Sequence, residues 1–98
     1  MTYFTPGKYM WLSFATESHF RGAAIVEGNE IIECTKKTHA LGINPGGRVL
    51  GAQIPTEAEH LIPIKLIEKL LNREEAQFIT KIFDDFTSET KEKQKMDT

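Results

Sequence analysis

Apolar and mixed positions alternate from Tyr9 to Ala15. Met10, Leu12 and Phe14 fall on one face of an extended chain, and Tyr9, Trp11, Ser13 and Ala15 on the other. The stretch contains no Gly or Pro, so it predicts a strand with Met10, Leu12 and Phe14 turned to the core. Before it, Thr5-Pro6-Gly7-Lys8 has the residue order of a type II turn. Phe20 to Glu27, carrying Ala23, Ala24, Ile25 and Val26, predicts a second strand. Gly28-Asn29 then separates that run from Glu30-Ile31-Ile32-Glu33-Cys34, which is the spacing of a hairpin and predicts a three-strand meander. Thr35 to Leu41 predicts a short helix, capped weakly by Thr35 and stopped by Gly42, with Ile43 packing back. Arg48 to Ile54 predicts a further strand, ended by Pro55.

From Pro63 the period becomes helical. Ile64, Ile67, Leu70 and Leu71 recur at helix spacing behind a proline suited to a first turn. Asn72 followed by Glu75 three residues later resembles a capping box and restarts the chain as another helix. Its stripe of Ile79, Ile82, Phe83 and Phe86 reads as core or subunit interface. The predicted fold class is therefore α+β: an antiparallel β meander, a short helix, a further strand and two C-terminal helices.

Composition sets the organisation. The chain has 98 residues, and in residues 87–98 Met96 is the only strongly apolar side chain. Such a segment cannot offset its ordering entropy by burial, so it is expected to be a disordered charged tail behind a single domain over 1–86. A domain of that size is marginal alone. Cys34 is the only cysteine, and His19, His39 and His60 are scattered, so neither a disulfide nor a zinc site is expected. A homo-oligomer is the remaining common source of stability. One cysteine suits a reducing cytoplasm. No run approaches a membrane span, and Met1 to Lys8 lacks the layout of a signal peptide. The net charge of −2 argues against binding a nucleic acid polymer. The charge is uneven: residues 1–56 carry five Lys/Arg against four Glu, and residues 57–86 carry four against seven acids. An anionic ligand would favour the first half.

Asn44-Pro45-Gly46-Gly47-Arg48 is the most unusual stretch. Paired glycines can adopt positive φ and turn successive N–H groups into one concavity, a nest that takes phosphate or carboxylate oxygens. Arg48 directly follows and can add a bidentate contact. The other reading of the same residues is a plain connector from helix to strand. Arg21 is the other arginine of the β half, and is either a phosphate partner or a solvated side chain. Trp11, on the less apolar face of its strand, can stack on a base or fill an interface. No catalytic residue is assigned: Cys34 and His39 have no third partner, and Asp84-Asp85 and Glu74-Glu75 are adjacent helical residues that do not face one another. Neither metal nor cofactor is expected, and the chain reads as a binding protein, not an enzyme.

The stretch His39 to Gly51, with Ile54-Pro55 and Leu71-Asn72-Arg73-Glu74-Glu75, resembles small phage-encoded proteins with a Gly-x-Asn-Pro-Gly-Gly-x-Val core. It is also similar to the phage anti-Thoeris sponges of the first described type. The resemblance covers about a third of the chain and is centred on the loop; Asn44, Gly46 and Gly47 are the motif positions it carries over. It implies a small α+β homo-oligomer in the host-cell cytoplasm that sequesters a cyclic ADP-ribose-like signal, or a cyclic oligonucleotide, without cleaving it. The alternative is a protein–protein interaction module that inhibits a host protein, with the loop purely structural and the helical stripe as its interface.

Overall fold

The computed structural model of the chain describes the backbone of residues 6–96 and the side chains of residues 7–87. Three strands, β1 (Pro6–Thr16), β2 (His19–Glu27) and β3 (Arg48–Pro55), form one antiparallel sheet in the order β2-β1-β3. Helix α1 (Ile31–Ala40) links β2 to β3, and 3₁₀ turns at Thr56–Leu61 and Ile64–Leu66 lead to helix α2 (Arg73–Met96). The class is α+β with a three-stranded antiparallel sheet, as the alternation and the change of period imply.

Each face of the sheet carries a packed core centred on β1 and β2, while of β3 only Ile54 is buried. On one face Met10, Leu12 and Phe14 pack with Ala24, Val26 and Cys34 beneath α1. On the other, Ala23 and Ile25 pack with Ile54, Ala58, Ile62, Leu66, Leu71, Ala76 and Ile79 from the 3₁₀ segment and α2. This is why Gly22 to Val26 is buried without interruption and reads as a continuous apolar run, not an alternating one.

Two elements differ from the sequence reading. Glu30–Cys34 is not a third meander strand but the entry and first turn of α1. The buried residues of α1 are Cys34 and Thr38, one helical turn apart, while Ile31 and Ile32 face solvent. A short apolar run carries no period of its own, and here the burial of Thr38 decides for the helix. The second difference lies at residues 63–71, where a helix was expected. Only Ile64–Leu66 is helical, as a 3₁₀ turn. Beyond it Glu68 takes φ 60°. Its N–H donates to Ile25 O at 2.8 Å, and Leu71 exchanges both backbone bonds with Ala23 at 2.8 and 3.2 Å. The open side of β2 thus supplies partners that a local helix would have supplied, and it buries Leu71 as well.

Thr35, expected to cap the start of the short helix, lies inside α1 and donates its hydroxyl to Ile31 O at 2.7 Å, while Glu30 at the N-cap makes no side-chain cap bond. The end of α1 and the start of α2 follow their local signals. Ile43 N–H reaches Thr38 O at 2.9 Å across Gly42, whose φ is 72°, and Ile43 packs on the core below. That is a Schellman stop. Asn72 and Glu75 form a complete capping box: Glu75 N–H donates to Asn72 Oδ1 at 2.8 Å and Asn72 N–H to Glu75 Oε1 at 3.1 Å. Helix α2 runs to Met96, through most of the segment whose composition marks it as a tail. At the other end the expected turn falls partly outside the described residues; Pro6 already pairs with Pro55, and the register shifts before Met10. The Gln53 amide fills that irregularity, with Nε2 lying 2.7, 2.9 and 3.1 Å from Gly7 O, Tyr9 O and Gly28 O. Among the described residues no helix is long and apolar enough to cross a membrane.

Candidate functional site

Asn44 is held by the fold at both ends of its amide. Its Nδ2 donates to Thr38 Oγ1 at 2.9 Å, and its Oδ1 accepts Gly46 N–H at 2.7 Å. Thr38 is fully buried, and its hydroxyl donates in turn to Thr35 O at 2.6 Å. The loop is therefore an Asx turn latched to the last turns of α1. Gly46 N–H, one donor of the expected nest, already has a partner. Gly47 has φ 91°, and a Cβ there would stand 2.5 Å from Ala15 O. Its glycine is required where the loop crosses the end of β1.

Arg48 is exposed and lies opposite Ala15 in the sheet. With Ala15, Thr16 and Glu17 it borders a hollow of about 350 Å³, where the Glu17 carboxylate opposes an anionic ligand. Arg21 is the extra residue of a β-bulge. The pairing steps from Phe14–Gly22 to Ala15–Phe20 and leaves Arg21 exposed on the outer strand.

Trp11 lies elsewhere. It is on the central strand, on the face covered by α2, four residues or roughly 13 Å along β1 from the Ala15 end. The chain thus brings Arg48 next to the glycine loop but does not bring Trp11 to it. Trp11 instead meets Phe83 edge-to-face, with ring centroids 6.3 Å apart and planes at 89°. Two grooves open from its ring. The larger, about 360 Å³, has Trp11, Phe20 and Ser13 on the sheet side and Arg73, Gln77 and Thr80 on α2. The smaller, about 190 Å³, runs toward β3 between Trp11, Ala52, Ile54, Pro55 and Phe83.

The larger groove sets aromatic surface opposite polar side chains. Aromatic surface on one wall can take a base, and the Arg73 guanidinium and Gln77 amide on the other can take phosphate and ribose oxygens, while the Thr80 hydroxyl already donates to Ala76 O at 2.8 Å. Arg73 is also the first residue of α2, although in that turn Glu75 N–H is capped by Asn72 and the Glu74 and Glu75 carboxylates oppose an anion. Arg73, Gln77 and Thr80 were not singled out from sequence. Their spacing, four then three, does put them on one helix face, directly beside the apolar stripe. What the sequence could not supply is that this face looks onto Trp11.

Cys34 is fully buried, and burial pushes its thiol above the ordinary range. A thiol so placed is held in its neutral, less reactive form. Among the described residues no three His, Cys, Asp or Glu side chains are placed to share a metal ion. No family model, curated protein or solved structure matches the chain.

Proposed function

We propose that this chain is a binding protein that holds a phosphate-bearing nucleotide in the groove beside Trp11 and sequesters it without turnover. The observation that carries the reading is the groove itself. An aromatic wall of Trp11 and Phe20 faces Arg73, Gln77 and Thr80 across about 360 Å³, a volume within the usual range of small-ligand sites. The resemblance of the Asn44–Val49 segment to phage signal-sequestering proteins supports a cyclic ADP-ribose-like molecule or a cyclic oligonucleotide as the ligand. It also supports the cytoplasm of an infected host as the place of action. On this reading the Asn44 loop belongs to the scaffold and Arg48 and Arg21 lie at the periphery.

The test is titration calorimetry with cyclic ADP-ribose isomers and cyclic dinucleotides, followed by chromatography of the recovered ligand. Binding with the ligand recovered intact supports sequestration. Arg73→Ala should weaken binding by about 1.5–3 kcal/mol, the range for a hydrogen bond to a charged group. The second reading, an interaction module, has its own support in apolar side chains left in solvent: Ile32 at 71%, Leu50 at 68% and Phe78 at 52% exposure. A folded protein that gives no heat with any nucleotide favours that reading.

A further inference from the structure

The two edges of the sheet are treated differently. On β2 the outward groups of Ala23 and Ile25 are paired with Leu71 and Glu68. On β3 no other described strand lies beyond, since the order is β2-β1-β3. Which β3 groups face out follows from the ladder. Gly28 N–H donates to Lys8 O at 2.8 Å, so even-numbered residues of β1 bond toward β2 and odd-numbered residues toward β3. Trp11 pairs with Ala52 and Ser13 with Leu50, so Leu50 and Ala52 bond inward, and Val49, Gly51 and Gln53 present N–H and C=O outward.

Apolar surface flanks that edge on both sides. On the α1 side a groove of about 610 Å³ is lined by Met10, Gly51, Gln53, Ile31 and Ile32. On the α2 side lie the exposed Leu50 and the smaller groove through Ala52. An edge strand between two apolar grooves is the form that accepts an added strand, which places alternate side chains on each side. Edges meant to stay free usually carry inward charges, prolines or bulges. On the strand itself the only charge is Arg48 at one end and the only proline is Pro55 at the other, with Glu30 and Asn29 among the residues that line the α1-side groove.

We propose that a second copy of this chain occupies the edge, pairing β3 antiparallel with β3 to give a continuous six-stranded sheet. One register makes the strand self-complementary along its whole outward side. Outward groups must face outward groups, Pro55 has no N–H, and Gly47, at φ 91°, is not extended. The register that uses all three outward residues puts Gly51 opposite Gly51 of the second copy, with Val49 opposite Gln53, Leu50 opposite Ala52 and Arg48 opposite Ile54; a register centred on Leu50 or on Ala52 pairs only two of them. At the Gly51 centre, where a Cβ would come within 2.8 Å of Ile31 Cγ1, the hollow left by two glycines is covered by Ile31 and Ile32 of both copies. The register also carries Arg48 of the second copy to the rim of the groove that Ile54 and Trp11 share.

Light scattering on the full chain tests this through a charge swap. The wild type should have twice the 11.1 kDa chain mass. Leu50→Lys with Ala52→Lys sets like charges opposite one another twice across the two-fold axis and should reduce the mass to that of one chain. Mixing that protein with Leu50→Glu/Ala52→Glu should restore the dimer. Both positions are exposed, so each variant should keep the wild-type circular dichroism. A wild type that is monomeric at micromolar concentration, or a lysine variant that stays dimeric, or a mixture that stays monomeric, overturns the proposal.

Discussion

Replacing Asn44 with Ala separates a structural loop from a binding loop. The substitution removes two hydrogen bonds, to Thr38 Oγ1 and from Gly46 N–H. Thr38 keeps its own bond to Thr35 O, so the buried hydroxyl loses only an acceptor role. Gly46 N–H is half-buried and regains part of its loss from water. At about 1 kcal/mol per net hydrogen bond, the expected cost is about 2 kcal/mol. For a domain of this size that lowers Tm by roughly 8–16 °C. Thermal and urea unfolding measure it, and a double-mutant cycle with Thr38→Val should show a coupling of about 1 kcal/mol for the shared bond. At a temperature where the variant stays folded, its affinity for nucleotide should equal that of the wild type. If Asn44→Ala melts with the wild type yet loses binding, the latch is not structural and the loop itself is the site.

The remaining predictions concern other parts of the fold. Gln53→Leu leaves Gly7 O, Tyr9 O and Gly28 O without their side-chain donor, and urea unfolding should show a loss of about 2–3 kcal/mol. Cys34 should react slowly with a disulfide reagent in the native protein and promptly in denaturant; prompt native labelling would contradict its burial. Glu75 has its carboxyl held below the ordinary 4.5 by the Lys69 ammonium and by Asn72 N–H. A depressed folded pKa gives stability that is present above the unfolded value and lost as pH falls through the folded one. Glu75→Gln should therefore flatten stability against pH in the acid range below about 4.5, and an unchanged acid limb would count against the Lys69–Glu75 pair.

Local chemistry was readable and non-local pairing was not. The Met10, Leu12 and Phe14 face, the Gly42–Ile43 stop and the Asn72–Glu75 box rest on neighbours within a few residues, and each is where its pattern puts it. Glu30–Cys34 and residues 63–71 depart from their local pattern because their outcome depends on distant partners. Thr38 and Cys34 need the sheet beneath them, and Glu68 and Leu71 bond to β2. The site divides in the same way. Trp11 is visible as a tryptophan on the less apolar face of a strand. The sequence does not show that Arg73 faces it, because that requires knowing that α2 crosses this face and not the other. The glycine loop drew attention as a nest because the partner of Gly46 N–H, the Asn44 side chain, has two ordinary roles in such sequences, ligand and turn former.

Trp11 is the one tryptophan in the chain, so its fluorescence reports on the surroundings of that ring, which borders the proposed groove and the smaller groove beside Phe83. Titration with a cyclic ADP-ribose isomer or a cyclic dinucleotide should change that emission saturably in the wild type. In Arg73→Ala the midpoint should move to higher concentration by roughly ten- to a hundredfold, while in Arg48→Ala it stays within a few-fold. Calorimetric binding without any change in Trp11 emission, or a midpoint that Arg73→Ala leaves in place, would contradict the groove as the nucleotide site.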